Sequence, residues 1–202
     1  MSIKFNALSI RCLMVAAALG CGGTLAQAGD EQLLTSSDSK CWQSSVYANN
    51  TEEFGHPERA VRGTPTGKYA FHTAAQENPS WTVDLGEAKL ITTVKVNNRM
   101  DCCQERANAM QVFLSEDGKA WGSPVFTNSG TFGYADPSGL AKLGGPRVVD
   151  LGTGKKGRYV KIQLRGVGIL HLDQVEVYGV DAAPEGLGGQ TMPGGFGGGW
   201  SH

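Results

Sequence analysis

Two arginines flank an adjacent pair of cysteines in one short stretch of this sequence. Arg99 and Arg106 stand on either side of Cys102 and Cys103, and His72 lies 27 positions before the first arginine. Arginine and histidine side chains donate hydrogen bonds in fixed directions, and a guanidinium group has no acceptor. Donors that converge beside a small apolar surface could hold the oxygens of one sugar face. The stretch therefore predicts a carbohydrate site, in which the imidazole donates from one nitrogen while a partner holds the other.

Each of these residues has a simpler interpretation when it is taken singly. His72 alone would be a structural histidine at a strand end, and the two arginines would be solvated surface charges. The adjacent cysteines could be reduced thiols, or one of them could pair with Cys41. Their combination in one chain favours the sugar-binding interpretation.

The elements that must position these residues have the pattern of short β-strands. Apolar and polar residues alternate without a helical period over residues 81–85, 94–96, 110–114, 159–164 and 175–178. Glycine-rich clusters predict turns at residues 117–118, 144–146 and 154–157. Many short strands without interleaved helices predict an all-β, jelly-roll β-sandwich. Within it we expect Trp81 in the core and His171, between two leucines, in a structural role.

The first residues have the pattern of a secretory signal. Lys4 and Arg11 precede an apolar run over residues 12–20, which is too short to span a bilayer, and a small-x-small cleavage sequence follows at residues 26–28. We therefore expect residues 1–28 to be a signal peptide and the mature protein to be secreted or periplasmic. Lipoprotein anchoring through Cys21 is the alternative.

The remaining chain divides by composition into a leader, one domain and a tail. Residues 29–40 predict a short polar leader, residues 41–179 the folded domain, and residues 180–202 a disordered Gly-rich tail. Removal of Lys4 and Arg11 leaves 16 basic against 19 acidic residues, a net charge of −3. That balance argues against nucleic acid or an anionic membrane as the main partner, and no second apolar run predicts a membrane span.

Landmarks along residues 41–179 resemble those of the discoidin-like, galactose-binding jelly-roll superfamily. They lie at residues 43–47, 60–63, 71–73, 81–86, 98–101 and 172–179. Many domains with diverse ligands share such landmarks, so they indicate the fold better than the function. A sharper subset is similar to the signature of the F-type lectins: His72, then Arg99-x-Asp101, the adjacent cysteines and Arg106.

This resemblance implies an L-fucose site formed by His72, Arg99, Arg106 and a vicinal disulfide between Cys102 and Cys103. The guanidinium groups would donate to the lone pairs of the sugar oxygens, and the disulfide would pack against the ring. A ring between adjacent cysteines closes almost no loop and adds little stability, which favours a role in binding. Cys41 would then be free or link two chains.

Two supporting roles follow from the same resemblance. Asp101 would pair with an arginine and orient its planar fork. The C6 methyl group of fucose needs an apolar notch, and the aromatic candidates for it are Tyr47, Phe54, Tyr69 and Phe71.

The chain departs from the F-type pattern where that family carries a structural calcium ion. Arg59, Arg62 and Thr64 replace oxygen-bearing ligands, and Asp173-Gln174 replaces a Cys-Glu pair. We therefore predict no cofactor and no metal, with Arg62 paired to Asp173 as an internal replacement for the ion. Structural Ca²⁺ is the alternative.

Taken together, the sequence predicts a non-catalytic lectin for terminal L-fucose on glycans or glycoproteins, which could oligomerise for avidity. It contains no Gly-x-Ser-x-Gly elbow, no metal triad and no convincing pair of catalytic carboxylates. The alternative is a discoidin-like adhesion module for another glycan or for a cell-surface protein.

Overall fold

A computed structural model describes residues 30–135 and 142–181. Its strands are, in chain order, β1 (Gln32–Leu33), β2 (Lys40–Gln43), β3 (Phe71–His72), β4 (Gln76–Glu77), β5 (Ser80–Asn97), β6 (Met110–Ser115), β7 (Phe126–Thr127), β8 (Gly133–Ala135), β9 (Lys142–Gly145), β10 (Arg147–Leu164), β11 (Val167–Gly168), β12 (His171–Leu172) and β13 (Gln174–Asp181). One short α-helix, α1 (Thr51–Phe54), and 3-10 helices at Tyr47–Asn49, Pro57–Val61 and Gln104–Ala109 accompany them. The all-β prediction is confirmed. The predicted signal peptide, with Cys21, and nearly all of the predicted tail lie outside the described residues.

Two long strands organise the main sheet. Its order is β1-β13-β5-β10-β6-β7, and β2 also pairs with β5. The first part of β5, residues 80–84, pairs with β2 and with the end of β10, whereas residues 89–97 pair with β13 and with the start of β10. Each long strand therefore passes from one set of neighbours to another, and the two halves face one common core.

Period-two alternation explains how that core is filled. Trp81 and Val83 from the first half of β5 are fully buried, as are Val94 and Val96 from the second half. Trp81 also donates its indole N–H to the carbonyl oxygen of Pro57 at 2.8 Å, so its polar atom is satisfied. The predicted core position of Trp81 is therefore confirmed.

Two stretches differ from the sequence-based expectation. The predicted turn at residues 154–157 is wrong, because these residues lie inside β10 at a register shift between Asp150 and Lys155. Gly154 has a φ of +98°, so the glycine there serves a β-bulge and not a chain reversal. The stretch predicted as a leader contains β1, which pairs with Tyr178 and Gly179 of β13. Strand pairing thus begins before residue 41, and it extends past residue 179, because Val180 and Asp181 of the predicted tail still pair with β5.

A pair of short strands and one long connection carry the candidate site. Strands β3 and β12 pair so that His72 stands opposite His171. The connection of residues 98–109 joins Asn97, which pairs with β13, to Met110, which pairs with the end of β10. This connection therefore crosses between the two halves of the sheet and brings its arginines toward β3.

None of the helices in the described part of the chain has the length and apolar character needed to cross a bilayer.

Candidate carbohydrate-binding site

His72 lies at the centre of the candidate site and is buried. Its Nδ1 is 3.0 Å from the carbonyl oxygen of Thr73, which can only accept, so Nδ1 carries the proton. Burial lowers the pKa of His72, and the neighbouring charges of Arg99 and Arg106 lower it further. The neutral ring therefore leaves Nε2 as an acceptor. This corrects the expectation that the free nitrogen donates to a sugar oxygen.

Arg99 is held in one orientation although its side chain faces the site. It is 6% exposed, and its Nε and one terminal nitrogen donate to the two carboxylate oxygens of Asp101, each at 2.6 Å. Hydrogen bonding to Arg99 is the largest influence that lowers the pKa of Asp101. The guanidinium carbon also lies 4.8 Å from the ring centroid of Tyr69. The predicted Asp101–arginine pair is thus present, and the other terminal nitrogen of Arg99 remains able to donate.

Arg106 lies on the 3-10 helix Gln104–Ala109 and is exposed. Its terminal nitrogen Nη1 is 3.4 Å from Nε2 of His171, whose ring centroid lies 5.1 Å from that of His72. His171 is 1% exposed, and burial is the main cause that lowers its pKa to about 3. A neutral His171 can accept from Arg106. The sequence predicted only a structural role for His171, because no pattern in the residues around it indicates that β12 pairs with β3 and sets it opposite His72.

Cys102 and Cys103 form a disulfide between adjacent residues, with Cα atoms 3.8 Å apart. Cys103 has a φ of +62°, a left-handed conformation uncommon for a residue other than glycine. Its carbonyl oxygen accepts from the backbone N–H of Arg106 at 3.2 Å, so this conformation starts the helix that carries Arg106. Within the described residues Cys41 is free.

Three of the four aromatic candidates surround the imidazole. The ring centroids of Tyr47, Phe54 and Tyr69 lie 4.6, 5.4 and 5.5 Å from that of His72. Phe71 is fully buried and stacks on Trp81, which places it in the core and away from a ligand. The apolar notch next to the site is therefore formed by the first three rings, of which Tyr47 is the most open at 42% exposure.

The buried carboxylate of Asp173 holds the segment Thr66–Gly67, which in turn holds the loop that carries Arg99. The carbonyl oxygen of Gly67 accepts from the backbone N–H groups of Met100 and Asp101 at 2.9 and 3.2 Å. The Gly67 N–H in turn donates to Asp173 at 2.6 Å, and Thr66 donates to the same side chain from its backbone and its hydroxyl. Asp173 is 4% exposed. It thereby connects the interior to the segment that orients Arg99.

The predicted ion pair between Arg62 and Asp173 is wrong. The Arg62 side chain is 51% exposed, lies 3.9 Å from Glu58 and donates to the carbonyl oxygen of Ser37 at 3.4 Å. The physical reason is that Asp173 already accepts three hydrogen bonds from Thr66 and the neighbouring glycine. Nearby backbone donors satisfy the carboxylate without ordering a long side chain.

The residues at the family's calcium position do not fit a calcium ion. Gln174 stands where the family has a glutamate, and its side-chain N–H donates to the carbonyl oxygen of Gly63 at 2.5 Å, so this position offers an amide donor in place of a carboxylate ligand. No cluster of three His, Cys, Asp or Glu side chains within residues 30–135 and 142–181 could hold a metal. Independence from calcium stays a prediction.

The fold and this loop-borne site define a discoidin-like jelly-roll domain. A family model described as a NedA-like, galactose-binding domain of the F5/F8 type C group matches residues 59–162, about half of the chain. The protein belongs to this family.

Its relatives include several fucolectins. Fucolectin-1 of Anguilla japonica is 31% identical over 142 residues, which cover 68% of this chain and 76% of the eel protein. The F-lectin from striped bass (Morone saxatilis) serum is 28% identical with a TM-score of 0.58, over 72% of this chain and 48% of the bass chain. A fucose-binding module of Streptococcus pneumoniae is 26% identical with a TM-score of 0.57, over 73% of this chain and 95% of the module. This chain spans about half of the bass lectin. The predicted jelly roll and F-type resemblance are confirmed.

Proposed function

We propose that this protein is a non-catalytic lectin that binds terminal L-fucose through His72, Arg99 and Arg106, with the Cys102–Cys103 disulfide against the sugar ring. The observation that carries the proposal is the complementarity of these three polar groups. Two guanidinium groups can donate and the Nε2 atom of a neutral histidine can accept. One hydroxyl group that faces all three would donate its proton to His72 and receive a hydrogen bond from each arginine.

An axial sugar hydroxyl matches this arrangement, because it projects from the ring and can be reached from several sides. The apolar parts of fucose have partners as well. Tyr47, Phe54 and Tyr69 form a notch beside His72 that suits the C6 methyl group, and the half-buried disulfide offers an apolar surface to the ring. The names of the relatives, fucolectins and a fucose-binding module, support the same sugar.

The remaining parts of the proposal concern context. Residues 1–28 would direct secretion, with anchoring through Cys21 as the alternative. The ligand would be fucosylated glycans or glycoproteins. One sugar in a shallow site binds in the micromolar to millimolar range, so useful affinity would need several linked sites.

Calorimetric titration of the mature protein with L-fucose and with L-galactose tests the proposal. L-galactose replaces the methyl group by a hydroxymethyl group, so it probes the aromatic notch separately from the polar groups. Arg99→Ala and Arg106→Ala should each weaken fucose binding by about 1.5–3 kcal/mol or more. Arg158→Ala is a matched control, because that guanidinium pairs with Asp84 and contacts none of the site residues. Fucose affinity that is unchanged in both site variants would favour an adhesion module for another glycan or a protein surface.

A further inference from the structure

A second pocket lies directly beside the candidate fucose site and shares a wall with it. Its volume is about 250 Å³, and it is lined by Arg59, Arg62, Thr64, Thr66, Tyr69 and Asp173. We call it the Arg59–Arg62 pocket. The Tyr69 ring that bounds it also lies 4.8 Å from the guanidinium carbon of Arg99 and 5.5 Å from the imidazole of His72. One aromatic ring therefore separates the two pockets, so a sugar linked to a bound fucose could reach the second.

Within the described residues, the two guanidinium groups of this pocket make only long contacts. Arg59 donates to the carbonyl oxygen of Glu53 at 3.5 Å, and Arg62 donates to that of Ser37 at 3.4 Å. The carboxylate of Glu58 lies 3.9 Å from Arg62, at the limit of an ion pair. Contacts of this length at exposed sites contribute little. Since each guanidinium has five N–H donors, most of these donors remain available to a ligand.

The acidic groups around the pocket are already engaged. Asp173 accepts from Thr66 and Gly67, and its carboxylate is 4% exposed. Glu53 accepts from the Tyr69 hydroxyl at 2.9 Å and from Asn50. Within the described residues the Thr64 hydroxyl makes no hydrogen bond. The groups that can still bond to a ligand are thus two guanidinium forks and one hydroxyl, a set that favours an oxyanion.

We infer that the Arg59–Arg62 pocket is a subsite for an anionic group, a sulfate ester or a carboxylate, carried by the sugar that is linked to the fucose. Arginine forks bind oxyanions with paired, charge-assisted hydrogen bonds. The inference rests on the proposed function, because a fucose in the neighbouring site brings the anionic sugar into reach. The pocket would make the protein selective for acidic fucosylated glycans although the mature chain has a net charge of −3.

Three matched oligosaccharides test the subsite. One is a neutral fucosylated oligosaccharide, the second carries a sulfate ester on the sugar next to fucose, and the third carries a carboxylate on that sugar. We expect the wild-type protein to bind at least one acidic form about five- to tenfold more tightly than the neutral form. This preference should shrink at high ionic strength, because the pocket is open to solvent.

The variant Arg59→Gln/Arg62→Gln should lose the preference while its affinity for the neutral form stays within about twofold. Lys119→Gln/Lys155→Gln is the charge-matched control, since both lysines are exposed and neither lines the pocket, and it should keep the preference. Thermal unfolding verifies the fold of each variant, and the two single substitutions replace the double variant if that one is unstable.

The outcomes separate this inference from the proposed function. Equal wild-type affinity for the neutral and both acidic forms would overturn the subsite while leaving the fucose site intact. A preference that survives in the double variant would also overturn it. Absence of binding to all three oligosaccharides would overturn the proposed function itself. A preference for sulfate alone or for carboxylate alone supports the subsite and identifies the oxyanion.

Discussion

Arg99 of the candidate site and Arg62 of the Arg59–Arg62 pocket lie near the same tyrosine ring, Tyr69, and the protein holds these two cations in opposite ways. Arg99 is buried and locked by two hydrogen bonds to Asp101, whereas Arg62 is half exposed and its contacts with residues 30–135 and 142–181 are all long. A locked guanidinium has already lost its side-chain freedom and presents one terminal nitrogen in a fixed direction. A loosely held one can adapt to ligands of different shape. The difference suggests one pocket that recognises a single sugar and another that tolerates variation.

The largest effect is expected from substitution of Asp173, because this residue lines the Arg59–Arg62 pocket and also supports the loop that carries Arg99. Asp173→Ala leaves the buried N–H group of Gly67 and the partly buried N–H group of Thr66 without their acceptor. We expect a loss of unfolding free energy of about 3 kcal/mol, together with weaker fucose binding because Gly67 anchors the loop of Arg99. Chemical denaturation and fucose titration measure the two effects. Asp173→Asn keeps one acceptor and should recover part of both, and equal damage by the two substitutions would argue against this role.

Alanine substitution of Arg99 and of Arg62 should have different effects on fucose affinity. Arg99→Ala should weaken fucose binding by about 1.5–3 kcal/mol or more, because it removes charge-assisted hydrogen bonds and leaves Asp101 without its partner. Arg62→Ala should change fucose affinity less than twofold and stability by less than about 0.5 kcal/mol. Calorimetry on both variants decides. Similar losses in the two would mean that the pockets are not distinct.

Acid should lower the free energy of unfolding through the two buried histidines of the candidate site, His72 and His171. Burial lowers the pKa values of His72 and His171, the latter to about 3, so the unfolded chain binds more protons than the folded one once the pH falls below about 6.5. The stability that the two neutral histidines contribute is therefore present above pH 6.5 and is lost as the pH falls below that value. For His171 the loss continues to about pH 3, at up to about 1.4 kcal/mol per pH unit. Urea denaturation at pH 7 and pH 5 measures it. His171→Gln should reduce the slope, and equal stability at both values would contradict the assignment.

Removal of the vicinal disulfide should lower fucose affinity while it changes the free energy of unfolding little. Cys102→Ser/Cys103→Ser removes an apolar surface worth about one methylene group, roughly 0.8 kcal/mol or a threefold to fivefold loss in fucose affinity. Unfolding free energy should change by less than about 1 kcal/mol, because adjacent residues close almost no loop. Titration and thermal unfolding on the same samples report the two quantities. A large drop in stability with unchanged affinity would reverse the expected role.

The smallest effect concerns calcium. The amide of Gln174 donates to Gly63, and Asp173 is fully engaged, so added Ca²⁺ should find no ligand set. Melting temperatures with millimolar Ca²⁺ and with a chelator should agree within about 1 °C. A rise of several degrees with Ca²⁺ would restore the family's metal site.

Local patterns in the sequence predicted those parts of the molecule that depend on neighbours in the chain. Alternation identified the strands that became β5, β6, β10 and β13, and Asp101 was predicted to pair with an arginine, which in the structure is its near neighbour Arg99. Contacts between distant segments were not accessible in this way. His171 comes to the site through the pairing of β12 with β3. Asp173 binds the backbone N–H of Gly67 and does not pair with Arg62. The backbone N–H groups of Thr66 and Gly67 satisfy the carboxylate in place of the guanidinium, and no residue type in the sequence indicates that these backbone groups lie next to Asp173.

Strand β1 has a consequence for how the domain can be tethered. Its pairing with β13 sets Gln32 beside Gly179, so the chain enters and leaves the domain at one edge. The other end of β13, at Gln174, follows directly after Asp173, which lines the Arg59–Arg62 pocket, and lies about 20 Å away along the strand. A support, a fluorophore or a second domain joined directly at residue 30 or residue 181 would therefore attach at the end of β13 that lies away from the loops of the candidate site. Immobilisation through either side of that edge leaves these loops pointing outward, which suits display of many copies on one surface.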